Sequence, residues 1–167
     1  MTNSLTATDR AHLSRCVDLA REALEEGDEP FGSLLVGADG TELFADRNRV
    51  SGGDATQHPE FAIARWAAHH LSPSERAAAT VYTSGEHCPM CAAAHAWVGL
   101  GRIVFASSSA QLTAWLEGWG VPAGPVAPLP IRTVAPGIEV AGPDAALSDE
   151  VRTLQARLHG IDLAQSR

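Results

Sequence analysis

Hydrophobic and polar positions recur along this chain with two different periods, and the changes of period divide it into segments. Leu13, Val17, Ala20 and Leu24 return at the three-to-four spacing of a helix with one apolar face. The spacing predicts a first helix, capped by Thr8 or Asp9, running to about Glu26 and ended by Gly27. Glu29-Pro30-Phe31-Gly32 then leads into a strand over 33–37. Ala38-Asp39-Gly40 makes a hairpin turn, and a second strand returns over 41–45. Residues 47–57, rich in Gly, Asn, Ser and Asp, read as a loop of the kind that carries functional side chains.

A second helix starts at His58 and carries Phe61, Ile63 and Trp66 to about Leu71, where Ser72-Pro73-Ser74 breaks it. Residues 80–83 predict a strand, 84–87 a loop, and 88–98 an alanine-rich helix ended by Gly99 and Gly101. A strand over 102–106 follows, and 107–109 caps a shorter helix bearing Trp115 and Trp119. Four prolines exclude regular structure from 120–130, which reads as a surface loop. Residues 131–134 and 138–140 predict a fifth strand kinked at Pro136-Gly137, and Ser148 caps a last helix to about His159. The order α-β-β-α-β-α-β-α-β-α implies an α/β fold, a three-layer α/β/α sandwich around a five-stranded mixed sheet. One domain over 1–167 is expected, with a core at about 10–120, the proline-rich loop at 120–130, and a C-terminal strand and helix over 131–160.

Charge and cysteine usage narrow the function classes. The net charge is −8, all 12 basic residues are arginine, and they are scattered, so the basic stripe of a nucleic-acid binder is missing and nucleic acid is not expected as the partner. No apolar run approaches the ~20 residues that span a bilayer, and the first ten residues hold no signal-peptide core, so a cytoplasmic protein without a membrane partner is expected. Cys16 falls on the apolar side of the first helix and reads as a buried small hydrophobe. Cys88 and Cys91 form a C-x-x-C pair, the spacing of a redox couple, half of a structural zinc knuckle, or a metal site.

The third reading gains from His58-Pro59-Glu60. One histidine and two cysteines supply three zinc ligands and leave the fourth position open, the arrangement of a catalytic rather than a structural site. His58 and Cys88 each precede a proline, which favours the first turn of a helix, so two helix N-termini can converge on one ion. Cys91, three residues after Cys88, faces the same way. Glu60 is then placed to move protons at a water activated by the metal. His12, His69, His70 and His159 read as exposed helix residues, and His95 as a core or surface residue one turn beyond Cys91.

These motifs, His58-Pro59-Glu60 and Glu86-His87-Cys88-Pro89-Met90-Cys91 with Pro30-Phe31-Gly32 and Asn48, resemble the cytidine deaminase-like superfamily over about 10–120. The branch is that of guanine deaminases, fungal-type cytosine deaminases and tRNA adenosine deaminases. The resemblance implies one zinc ion on His58, Cys88 and Cys91, and Glu60 as the catalytic acid/base. It further implies that Asn48 hydrogen-bonds the substrate ring, that Phe31-Gly32 forms a pocket wall, and that the protein is a homodimer. The reaction implied is hydrolysis of an exocyclic amine on a free nucleobase or base-like heterocycle of guanine, isocytosine, isoguanine, cytosine or aminotriazine type. A nucleoside deaminase, a tRNA adenosine deaminase and a non-catalytic zinc module are the alternatives.

Two departures bear on the substrate. The family usually has Ala or Gly where Pro59 stands, and its backbone N–H meets the ring; proline has none, which weighs against cytosine and cytidine. His87 stands where the family has proline, so its side chain either contacts substrate or faces solvent. From the C-terminal third, Glu117 or Asp144 could hold ring N–H groups and Trp115 or Trp119 could stack on a flat ring. The alternative is that the tryptophans are core or interface and Glu117 is solvated.

Overall fold

A computed structural model describes residues 5–164. The chain builds α1 (Ala7–Glu25), β1 (Gly32–Val36), β2 (Glu42–Arg47), α2 (Pro59–His70), α3 (Pro73–Ala78), β3 (Thr80–Gly85), α4 (Pro89–Trp97), β4 (Arg102–Ser107), α5 (Ser109–Gly118), α6 (Ile131–Val134), β5 (Val140–Ala141) and α7 (Ala145–Leu158). One five-stranded sheet has the order β2-β1-β3-β4-β5. β1 runs antiparallel to both β2 and β3, whereas β3, β4 and β5 are parallel. The expected mixed sheet between helical layers is what forms.

Side-chain alternation along the strands fills the two faces. Leu34, Val36, Tyr82 and Val104 pack with α1 and α7, joining Leu13, Val17, Val151 and Leu154. Leu35 and Val81 point the other way, against Ile63 and Ala67 of α2. Ile103 and Phe105 meet Ala92 of α4 and Ile131 of α6. Strands covered on both faces read as near-continuous apolar runs, as these do. Cys16 is fully buried among the α1 contacts, and the burial pushes its thiol pKa up. Gly32 meets α1 so closely that a Cβ there would lie 2.4 Å from the Leu19 Cβ and 2.5 Å from the Cys16 carbonyl.

Several boundaries differ from the expectation for local reasons. Thr6, not Thr8, caps α1, in a capping box with Asp9. Ser72-Pro73 breaks α2 but at once opens α3, through a second box with Glu75. Residues 131–134 form a short helix, and the fifth strand is only Val140–Ala141, so the expected strand over 131–140 is corrected. Asp144 caps α7 four residues before Ser148, which is buried in that helix and donates to the Ala106 carbonyl. Among the described residues, no helix is long and apolar enough to cross a membrane.

Asp9 does more than cap a helix. Arg102 of β4 donates to both its oxygens, at 2.9 and 3.3 Å, and the Tyr82 hydroxyl of β3 donates at 3.0 Å. Burial raises its pKa, but the Arg102, Thr6 and Tyr82 hydrogen bonds outweigh it and hold the carboxyl at about 2, below the usual 3.8. A depressed carboxyl pKa stabilises the fold fully above about pH 4, and the contribution disappears as pH falls toward 2. Asp9→Asn is therefore expected to cost about 2 kcal/mol in urea unfolding at pH 7 and almost nothing near pH 2.

Candidate active site

Two helix starts make the site. His58 is the N-cap of α2 with Pro59 as its first helical residue, and Cys88 is the N-cap of α4 with Pro89 in the same position. Neither side chain caps its own helix, so both are left to face each other where α2 packs on α4. Cys88 Sγ and Cys91 Sγ are each 3.6 Å from His58 Nδ1, and the sulfurs are 3.4 Å apart. Zn–S bonds of about 2.3 Å and Zn–N bonds of about 2.0–2.1 Å at tetrahedral angles require separations of roughly 3.6 Å and 3.8 Å. The three residues fit a zinc ion bound through Nδ1 and two thiolates.

The electrostatics agree. The proton shared between the two sulfurs pulls the Cys88 pKa down to about 4, helped by His58, and pushes that of Cys91 up. Two thiols this close oppose each other's ionisation, and a cation between them relieves that opposition. A dication bound by both sulfurs supplies that charge.

Glu60, at the second helical position of α2, is 5% exposed and lines the cavity beside the triad. Its Oε1 lies 2.9 Å from the Thr83 hydroxyl and 3.1 Å from that of Ser33. Ser33 and Thr83 are register partners on β1 and β3. Burial raises the Glu60 pKa, against the opposing pull of its helix N–H and of His58. The signal in the sequence was a pair of hydroxyl residues, Ser33 and Thr83, at buried positions of two strands.

The remaining candidates scatter. Phe31 lines the cavity, its ring standing against Gly85, where a Cβ would come within 2.9 Å of it. Glu117 is at the cavity's exposed side. Asn48 is fully buried, with Oδ1 accepting from the Val50 N–H and Nδ2 without a partner. Gly32, Pro59 and Trp115 are not part of the cavity wall. Gly32 faces α1, and Trp115 packs on the core under α1 and α7. His87 is neither in the cavity nor in solvent: it is 1% exposed, edge-on to the buried His95 at 5.4 Å. Burial pulls the pKa of both rings down, that of His95 to about 4. Asp144 is spent on capping α7 and on Arg10, 2.9 Å away. Trp119 ends α5, half-buried. His12 is half-buried against Tyr82, whereas His69, His70 and His159 are exposed.

The proline-rich segment is not a bystander loop. Val121, Pro122, Val126, Pro128 and Leu129 form one wall of a cavity of about 430 Å³ that His58, Cys88 and Glu60 also line. Glu86 ties the C-terminal end of that segment to the start of α5. One carboxylate oxygen accepts from the Ser109 N–H opening α5, and the other from the Ile131 N–H opening α6, at 2.8 and 2.9 Å. Its sequence position beside Cys88 gave no hint of partners 23 and 45 residues away. Glu86→Gln keeps one acceptor and sets an amide N–H against the other backbone donor. We expect stability to fall by about 1–3 kcal/mol in urea. KM should rise more than kcat falls, because the segment is loosened while Glu60 and the triad stay in place.

A family model for the cytidine and deoxycytidylate deaminase zinc-binding region matches residues 6–107. A probable cytosine deaminase of Schizosaccharomyces pombe is 33% identical over 108 residues, 65% of each chain. A tRNA-specific adenosine deaminase of Agrobacterium fabrum is 34% identical over 87 residues, 52% of this chain and 57% of that one. A guanine deaminase structure from Nitrosomonas europaea superposes with a TM-score of 0.68 over 96% of this chain and 88% of its own, at 21% identity, a likeness of fold. The match thus spans just under two thirds of the cytosine deaminase and little over half of the tRNA deaminase.

Proposed function

Because the chain belongs to the cytidine and deoxycytidylate deaminase zinc-binding family, we propose that it hydrolyses the exocyclic amine of a free nucleobase or base-like heterocycle. The observation that carries this is the pairing of a zinc-fitting His58-Cys88-Cys91 triad with a buried carboxylate, Glu60, that lines the same cavity as His58 and Cys88. A zinc ion held there supplies a Lewis acid that lets water ionise near neutral pH.

Glu60 does the proton work. Ser33 and Thr83 hold Oε1, which leaves Oε2 for the reaction. Water's oxygen joins the amine-bearing ring carbon, and the C–N bond to the exocyclic nitrogen breaks. One proton of that water goes through Glu60 to the adjacent ring nitrogen and the second to the leaving amine, which departs as ammonia. A carboxyl pKa raised by burial suits a group that must both take and give a proton. Phe31 offers a face for the flat ring, and Asn48, whose buried Nδ2 donor is unpaired but is not on the cavity wall, would meet a ring acceptor only where the ring reaches past that wall. The protein acts as a homodimer in the cytoplasm on this reading, with no nucleic-acid partner.

The test is ammonia release by zinc-loaded protein from guanine, isocytosine, isoguanine, cytosine, adenine, their nucleosides and aminotriazines. Turnover of at least one free ring is expected; bound zinc with no ammonia from any of them would mean a structural zinc module. Preference for nucleosides would move the reading to a nucleoside deaminase.

Pro59 bears on which ring wins. It is not itself on the cavity wall but stands between His58 and Glu60, which are, and it opens α2 without an N–H to offer. Pro59→Ala should raise the relative kcat/KM for rings that present a carbonyl to that position, such as cytosine, by about five- to tenfold. An unchanged ranking across the panel would remove Pro59 from specificity.

A further inference from the structure

We propose that the substrate of this site is an amino-heterocycle carrying an uncharged apolar substituent, rather than a bare base or a phosphorylated nucleotide. The inference rests on the deaminase reading and narrows its substrate class. The groups suited to the reacting centre, Glu60, His58 and Cys88, line one part of the cavity. The rest of the wall is mostly apolar, with Glu86, three serines (Ser107, Ser108 and Ser109), Thr113 and Glu117 as its polar members. Leu112 and Leu116 of α5 face Val121, Val126, Pro128 and Leu129 of the proline-rich segment across the cavity.

Three observations converge on an apolar guest. The first is size. A bicyclic base packed at interior density fills roughly 150–200 Å³, less than half of the 430 Å³ present. The second is exposure: Val126 and Leu129 are 58% and 43% exposed, two of the three large hydrophobics standing in solvent among the described residues. Apolar side chains gathered on a cavity wall gain when a ligand covers them. The third is charge. No arginine lines the cavity, and its carboxylates are Glu60, Glu86 and Glu117, so a phosphate would meet negative charge with no cation. Glu86 cannot turn inward to bind a sugar hydroxyl, because both its oxygens hold backbone N–H groups. What remains is a largely apolar wall that gains when alkyl or aryl surface covers it.

A homologous series tests this with one variable: 2,4-diamino-1,3,5-triazine bearing hydrogen, methyl or phenyl at position 6, with guanosine 5′-monophosphate as the charged control. Ammonia release by the zinc-loaded enzyme should rise at least tenfold in kcat/KM from hydrogen to phenyl, mostly through KM, and be undetectable for the nucleotide. Calorimetric binding to zinc-loaded Glu60→Gln should rank the series in the same order. Leu116→Gln combined with Val126→Gln should shrink the phenyl-to-hydrogen ratio to about threefold or less. Equal or faster turnover of the unsubstituted ring, or turnover of the nucleotide, would overturn the proposal while leaving the deaminase reading intact. Absence of ammonia from the whole series and from the base panel would instead sink the deaminase reading. In that event, tighter binding of the phenyl compound would still support the apolar guest, and equal binding would refute it.

Discussion

Glu60→Gln is expected to lower ammonia release by at least about 10³-fold while zinc content stays at one ion per chain. General acid–base catalysis by one positioned group contributes about 10²–10⁴-fold, and in the proposed mechanism Glu60 is the carboxyl that carries the proton from water. Glutamine retains the shape and keeps an oxygen for the Ser33 and Thr83 hydroxyls. It also removes the cost of burying a carboxylate, the same cost that raises the Glu60 pKa. Thermal stability should therefore be unchanged or slightly higher, so lost activity cannot be blamed on unfolding. Steady-state kinetics, zinc analysis and a melting curve on the same preparation decide the matter. Full activity in the variant would remove Glu60 from the mechanism.

Cys91→Ala should abolish activity by a different route. Disturbing a residue that merely orients a ligand weakens metal sites by about 10–100-fold, and deleting a ligand outright should exceed the upper end of that range. Zinc stoichiometry measured after dialysis should fall toward zero, and ammonia release should reach background. Chelation of the native protein should give the same loss, reversed by added zinc. The fold should survive in both cases, since the cores beneath α1 and α7 and beneath α2 are built without the triad apart from the buried Cys91 itself. Melting should shift downward only by the free energy of the lost ion. An active, zinc-free protein would defeat the metal reading altogether.

What could be read from the chain was whatever short-range spacing determines. The two X-Pro helix starts, the C-x-x-C turn and the alternating strands each depend on residues within a few positions. From them follow the mixed sheet, the triad and the carboxylate beside it. Local signals failed where two segments look alike over four residues. Ile131-Arg132-Thr133-Val134 has a strand's composition, yet its first N–H is taken by Glu86 and its Ile131 is buried with α4, so it coils. Ser148 looks like a cap and is a buried donor, because Asp144 reaches the free N–H groups first.

The substrate half of the site was beyond any local signal. His87 and Trp115 are near the triad and α5 in sequence, but the direction of a side chain depends on which core it meets, and both turn away from the cavity. Glu86 became a clamp only when folding brought residues 109 and 131 to its two oxygens. The sequence alone determined the zinc-fitting residues and the buried carboxylate beside them, since three ligands and a carboxylate at helix N-termini are a matter of spacing. Tertiary structure alone decided what surrounds them. A cavity wall is made of side chains far apart in the chain, and only the closed fold sets Val126 and Leu129 opposite Leu112 and Leu116.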